Sequence, residues 1–140
     1  LNLPDRTYAA DSALKSIIEE LEPGVHQFNP IRITTSKGED WPASYHIIVV
    51  GRYLDSFRPE LSDSRCLRIK GGGFFPYDSD HKESYLGIAM SDASVGDSSL
   101  WKERNLYGPE FYLSDRLQAE IKKAGLRVPK YFKMKSVSSV

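Results

Sequence analysis

The chain has 140 residues, with 40% hydrophobic and 27% charged side chains, which is the size and composition of one folded domain and not of a disordered tail. Nineteen Lys and Arg balance nineteen Asp and Glu, which excludes a whole-chain basic footprint for nucleic acid but leaves room for local patches. At this length roughly 68% of the unfolded surface is buried on folding, so a substantial core is expected. The longest apolar run, Ile47 to Val50, falls far short of the roughly 20 residues of a membrane helix. A secretory signal pattern is not seen, and the first residue is Leu1 instead of Met, so the chain is read as processed, trimmed or lacking part of its natural N-terminus.

The first element is a helix over Ser12 to Glu22. Leu14, Ile17, Ile18 and Leu21 follow the i, i+3, i+4, i+7 spacing of an amphipathic helix, Asp11 or Ser12 can cap its start, and Pro23-Gly24 ends it. Two strand-like runs follow, Gln27 to Thr35 and Tyr45 to Gly51, joined by a long polar hairpin loop through Ser36, Gly38 and Trp41. Because Tyr45, Ile47 and Val49 alternate with His46, Ile48 and Val50, the second run reads as a central strand covered on both faces. Leu67-Arg68-Ile69-Lys70 alternates as a half-buried or edge strand, and Gly71-Gly72-Gly73 breaks the chain after it. A further strand is expected from Ser84 to Met90, a loop from Ser91 to Ser99, and an extended stretch from Glu110 to Leu113. Ser114 then caps a second helix bearing Leu117, Ile121 and Ala124, with Gly125 as its left-handed terminator. A last strand is expected over Lys130 to Lys135. The sum is a single α+β domain: a mainly antiparallel sheet, a helix near the N-terminus and a helix before the C-terminal strand.

No catalytic motif emerges. The histidines His26, His46 and His81 stand twenty and thirty-five residues apart without partners at metal-ligand spacing, so they read as a loop or strand-end His26, a packed His46 and an exposed His81; neither a metal nor a cofactor is expected. The triple glycine lacks the Lys-Ser/Thr and following helix of a phosphate loop, and reads as a turn. Asp78, Asp80 and Glu83 lie near His81 and Lys82, but paired carboxylates act as acid and base only where their surroundings separate their pKa values, and this stretch reads as solvated. The serines lack a nucleophile elbow. The one cysteine, Cys66, reads as a small core residue in a reducing setting.

Charge is distributed unevenly. Lys122, Lys123, Arg127, Lys130, Lys133 and Lys135 give residues 121–140 a local +6, while Asp5, Asp11, Glu19, Glu20 and Glu22 against Arg6 and Lys15 give residues 1–30 a local −3. The basic tail, with Tyr131 and Phe132, could hold a nucleic acid strand; an ordinary strand whose lysines protect an edge is the preferred reading.

Three stretches carry a family resemblance: Leu21-Glu22-Pro23-Gly24-Val25-His26-Gln27-Phe28-Asn29-Pro30-Ile31 followed by Tyr45-His46-Ile47-Ile48 and Asp55; Ser99-Leu100-Trp101-Lys102-Glu103-Arg104; and Phe111-Tyr112-Leu113-Ser114-Asp115-Arg116-Leu117 running through Lys123-Ala124-Gly125-Leu126 to Tyr131-Phe132. Together, over roughly residues 12–137, they resemble the eleventh numbered family of immunity proteins from bacterial polymorphic-toxin systems, first catalogued as a domain of unknown function. The resemblance implies a cytoplasmic binding protein, not an enzyme, whose partner is the toxin encoded beside it and which occludes or distorts the toxin's active site. Family members usually carry additional N-terminal residues, and many have Thr-Gly where this chain has Leu126-Arg127-Val128-Pro129. The matching residues look structural: Ser114 and Gly125 bound a helix, and Trp101 and Phe28 are large enough to anchor a core. Partner contacts are therefore sought elsewhere, in Trp41 as an aromatic anchor with Glu39 and Asp40 beside it, and in the acidic loops holding Asp78, Asp80, Asp92 and Asp97. A small enzyme reversing a toxin's modification through Asp78, Asp80 and His81, or a small nucleic-acid module, are the alternatives.

Overall fold

The computed structural model describes residues 2–3, 7–78, 80–109, 111–128 and 132–138. Strands β1 (Asn2–Leu3) and β2 (Thr7–Asp11) lead into helix α1 (Ser12–Leu21), and β3 (Gln27–Ile31) and β4 (Tyr45–Val49) complete a four-stranded antiparallel sheet in the order β1-β2-β4-β3. Asp11 caps α1 by accepting from the Leu14 N–H at 2.9 Å. β3 is a sheet edge, and Pro30 within it has no N–H to offer an incoming strand. β4 is central, as its apolar run suggests. It is only half covered, since Val49 remains 43% exposed, because α1 packs on one face only.

After β4 the chain forms β5 (Tyr53–Leu54), two single-turn 3-10 helices (Pro59–Leu61 and Ser64–Cys66), and the hairpin of β6 (Leu67–Lys70) and β7 (Gly73–Pro76). The strand expected over Ser84 to Met90 is instead a one-turn helix α2 (Glu83–Leu86) followed by β8 (Ala89–Ser91). The expected loop from Ser91 contains another one-turn helix, α3 (Asp92–Val95), whose N-cap Ser91 hydroxyl accepts from Ser94 N–H. β9 (Leu100–Glu103) and β10 (Tyr112–Leu113) pair antiparallel, and β5 joins β9 in parallel. Helix α4 (Asp115–Lys123) begins on the Ser114 cap, which accepts from Leu117 N–H at 3.1 Å. It closes in a Schellman motif: Gly125 N–H donates to Lys122 O, Leu126 N–H donates to Ile121 O, and Gly125 has φ +67°. The final strand β11 (Lys135–Val137) starts where the expected Lys130–Lys135 strand would end and pairs parallel with β8; residues 129–131 lie outside the described part, as does Glu110.

Two cores share β9 and β10 as their common wall. Alternation sends Leu100 and Leu113 toward α1, α4, Ile48 and Val50, and sends their neighbours Trp101 and Tyr112 toward Phe57, Tyr85, Ile88, Met90 and Leu106. Trp101 and Tyr112 stack at 6.1 Å within the second core. Phe28 is half-buried beside the first core, with the Lys15 ammonium 5.7 Å over its ring. Cys66 is half-buried at the rim of the second core, its Sγ 3.5 Å from the Glu83 carbonyl.

Candidate partner-binding surface

The β3–β4 loop is more ordered than its polar composition suggests. Thr34 bridges Asp40, Trp41 N–H donates to Ile33 O at 2.8 Å, Thr35 N–H to Glu39 O at 2.7 Å, and Gly38, at φ +81°, turns the tip. Trp41 is thus carried on a hydrogen-bonded ribbon with half of its surface exposed. Asp40 is paired with Arg32 at 2.5 Å across the ribbon, whereas Glu39 is exposed without an ion pair among the described residues. The Arg32–Asp40 pair is solvated and adds little stability; it occupies one of the predicted acidic contacts.

Asp78, Asp80 and His81 do come together, at the exit of β7. The Asp78 carboxylate accepts from Asp80 N–H at 3.0 Å and meets His81 Nδ1 at 2.7 Å. The Asp80 N–H, with help from His81, holds the Asp78 carboxyl below its usual range. His81 and Asp80 are exposed and neither lines a cavity described below, so the trio is a solvated turn holding an ionised carboxylate. Asp92 lies in the first turn of α3 and Asp97 just beyond Gly96, both exposed. No hydrogen bond or ion pair among the described residues joins the Trp41 ribbon, the Asp78 turn and the α3 loop, so the acidic candidates stand on three separate loops.

Sequence reasoning missed the most constrained charged group. Glu22 is 4% exposed and lies at the end of α1. Its Oε1 accepts from Leu100 N–H at 2.8 Å and from His26 Nε2 at 3.0 Å, and its Oε2 accepts from Arg52. His26 Nδ1 in turn accepts from Gly51 N–H at 3.0 Å, which fixes the proton of a neutral ring on Nε2, toward Glu22. Burial raises the Glu22 carboxyl, but His26, the backbone of Leu100 and Ser99, and Arg52 together outweigh it and hold it below its ordinary value. His26 stands at the strand end, immediately before β3, as expected, but it is buried there and links the end of α1 to the segment after β4. The signal was present in the spacing: Glu22 continues the Leu14, Ile18 stripe by one more i+4 step. A second carboxylate, Glu103, gathers the N–H groups of Ser56 (3.1 Å) and Phe57 (3.3 Å), the Ser56 hydroxyl and the Trp101 indole N–H (2.8 Å). With every partner supplied by the fold, both carboxylates are structural.

Two hollows flank Tyr107. One, of about 430 Å³, is bordered by Asp55, Arg58, Glu60, Phe74 and Asn105; the other, of about 240 Å³, by Lys70, Gly71–Gly73 and Phe75. Arg58 is spent on the carbonyls of Asp55 and Phe57 and on the Ser94 hydroxyl. Among the described residues no cluster of three His, Cys, Asp or Glu could hold a metal, and no helix is long and apolar enough to cross a membrane.

The family model described as Immunity protein family (Imm11) matches residues 11–136. The chain belongs to the Imm11 immunity protein family. No curated protein and no solved structure matches it. The Imm11 match runs from the Asp11 cap of α1 to β11, so it takes in the Glu22–His26–Arg52 network, the wall of β9 and β10 and the Trp41 ribbon.

Proposed function

We propose that this Imm11 protein binds a cognate secreted toxin in the cytoplasm and neutralises it by stoichiometric occlusion, without chemistry of its own. Membership of the immunity family over residues 11–136 carries the reading. The geometry supports it in two ways. Trp41 and Glu39 sit on a pre-ordered ribbon, so little conformational entropy is lost when a partner covers them. The Asp78, Asp80 and His81 turn has the solvated, ionised character of a surface contact, which supports binding over a repair enzyme. The contacts proposed are Trp41 as anchor, with Glu39 and Asp40 beside it, and Asp78, Asp80, Asp92 and Asp97 as acidic groups facing basic side chains of the toxin.

The test is a titration of toxicity in vitro with the purified toxin domain encoded by the neighbouring gene. Protection that completes at about one chain per toxin supports occlusion, and Trp41→Ala should weaken the complex by roughly tenfold or more. Protection at a small fraction of one chain per toxin would show turnover and refute the proposal. So would failure of the chain to bind that toxin at all.

A further inference from the structure

The β6–β7 hairpin stands apart from both cores at its tip. Its register pairs Leu67 with Pro76, Arg68 with Phe75, Ile69 with Phe74 and Lys70 with Gly73, and Tyr77 N–H extends the ladder to Cys66 O at 2.8 Å. Side chains alternate along each strand, so Arg68 and Lys70 share the outer face with Phe75 and Tyr77. On the inner face Leu67 and Phe74 reach the second core. Tyr107 completes the outer face: its ring is 5.6 Å from Phe75 and covers Gly73 so closely that a Cβ there would meet it at 2.7 Å. Gly71 and Gly72, at φ +59° and +78°, close the turn between Lys70 and Gly73.

This face has the chemistry of an unoccupied interface. Tyr77 is 62% exposed and Tyr107 49%, whereas Ile69, which is 70% exposed, belongs to the opposite face with Phe74 and is not part of it. Tyr and Arg are the residue types that dominate the energy of protein interfaces, and clustered exposed apolar groups mark them. Arg68 and Lys70 are exposed and make no ion pair among the described residues. The 240 Å³ hollow on this face is lined by Phe75, Tyr107 and Lys70, which suits an acidic side chain: apolar stem against the rings, carboxylate within reach of the lysine.

We infer that the outer face of the β6–β7 hairpin docks a carboxylate-bearing segment of the toxin, with an Asp or Glu side chain in the hollow beside Lys70 and apolar side chains over Tyr77 and Tyr107. The inference rests on the neutralisation reading and adds to it a contact region of opposite charge to the acidic loops. A single nucleic acid strand would also stack on aromatics between cations. With two cations on the face, Arg68 already in the field of the Asp78 carboxylate, and with Asp55 and Glu60 in the neighbouring hollow, the surroundings favour the protein partner.

The experiment measures the affinity of the toxin domain for four chains: unaltered, R68E/K70E, Y77A, and K122E/K123E. The last carries the same change in net charge on α4, remote in sequence from the hairpin. R68E/K70E should bind at least ~30-fold more weakly and Y77A about tenfold, while K122E/K123E stays within about threefold. Far-ultraviolet circular dichroism and thermal unfolding of R68E/K70E should match the unaltered chain, since both side chains are exposed. Binding by R68E/K70E within about threefold of the unaltered chain overturns the inference while leaving neutralisation intact. Equal loss in R68E/K70E and K122E/K123E also overturns it, by showing a bulk charge effect. Tight binding of a fluorescent oligo-dT strand that R68E/K70E alone abolishes, with toxin affinity unchanged, assigns the face to nucleic acid and overturns it as well. No binding by the unaltered chain overturns both this inference and the neutralisation reading.

Discussion

Replacing Glu22 with Gln keeps its shape and removes its charge, and the geometry sets the cost. The amide oxygen can take over Oε1 and continue to accept from Leu100 N–H and His26 Nε2–H. The amide nitrogen then faces the Arg52 guanidinium, donor against donor, where a charge-assisted hydrogen bond stood. Turning the amide over is worse, since two N–H groups would then face a donor. Losing one hydrogen bond between charged groups costs about 1.5–3 kcal/mol. Arg52 retains some exposure and can turn to water, which places Glu22→Gln near the low end, about 2 kcal/mol. Glu22→Ala leaves Leu100 N–H and the His26 ring N–H buried with no acceptor, and should cost about 3–5 kcal/mol. Urea unfolding followed by tryptophan fluorescence reads these directly, with a Tm lower by about 6–10 °C for the Gln variant. Because the folded carboxyl lies below its ordinary value of 4.5, its contribution is complete above that pH and is lost as pH falls through the folded value. The gap between the unaltered chain and Glu22→Gln should therefore be constant near neutrality and close on acidification below pH 4.5. The control is Glu19→Gln, an exposed i, i+4 partner of Lys15, for which at most about 0.5 kcal/mol is expected. If Glu22→Gln costs no more than Glu19→Gln, the network is not what joins the two sheets.

Other substitutions probe the frame more locally. Gly51→Ala should unfold the chain or cost more than about 3 kcal/mol, because its Cβ would lie 1.9 Å from the Val25 carbonyl oxygen; a stable, soluble variant by circular dichroism would contradict that packing. Ser114→Ala removes the α4 cap and should lower stability by about 1 kcal/mol in chemical denaturation, with no change counting against the cap. Tyr112→Phe should be neutral or stabilise by up to about 1 kcal/mol, because the Tyr112 hydroxyl is buried without a hydrogen-bond partner. Burial pushes that hydroxyl far above its ordinary pKa, so in ultraviolet titration it should remain un-ionised well into the alkaline range. A loss of stability above about 0.5 kcal/mol on Tyr112→Phe would reveal a partner for the hydroxyl.

The long helices were legible because every signal that makes them is local: a stripe at 3.6-residue spacing, Asp11 and Ser114 at their starts, Gly125 at one end. The β3–β4 hairpin was legible for the same reason. Helices α2 and α3 were not, since four residues cannot display a helical period, and Tyr85, Ile88 and Met90 mimic a strand while packing from a turn of helix and a short strand. The Glu22 network joins residues 30 and 78 positions apart, a proximity created only by tertiary folding. The alternation of Leu67 to Lys70 marks a half-buried or edge strand, and β6 is one: Leu67 reaches the second core, while Ile69 on the same face is 70% exposed because the hairpin runs past the core before Ile69 is reached. The acidic contact candidates were read from loops whose exposure is visible in composition, whereas their spacing on the surface depends on how three separate sheets are joined.

The neutral total charge is a poor guide to the field a partner meets, because pairing removes charges unevenly. In the acidic N-terminal third, Glu22 is buried against Arg52 and Glu19 is matched by Lys15, so the surface there is less negative than its count of carboxylates. Asp40 and Asp63 are likewise taken by Arg32 and Arg65. Many exposed charges, among them Glu39, Lys37, Asp92, Asp97, Lys122 and Lys123, make no ion pair among the described residues, but Arg68 and Lys70 share one face with the aromatic rings of Phe75, Tyr77 and Tyr107. Exposed charges without partners dominate the steering of an approaching protein, and paired ones contribute little beyond about 10 Å in 0.1 M salt. Raising salt should therefore slow toxin association with the unaltered chain more than with R68E/K70E, as followed by stopped-flow fluorescence. Identical salt slopes for the two chains would mean that the hairpin cations play no part in encounter, whatever they contribute once the complex has formed.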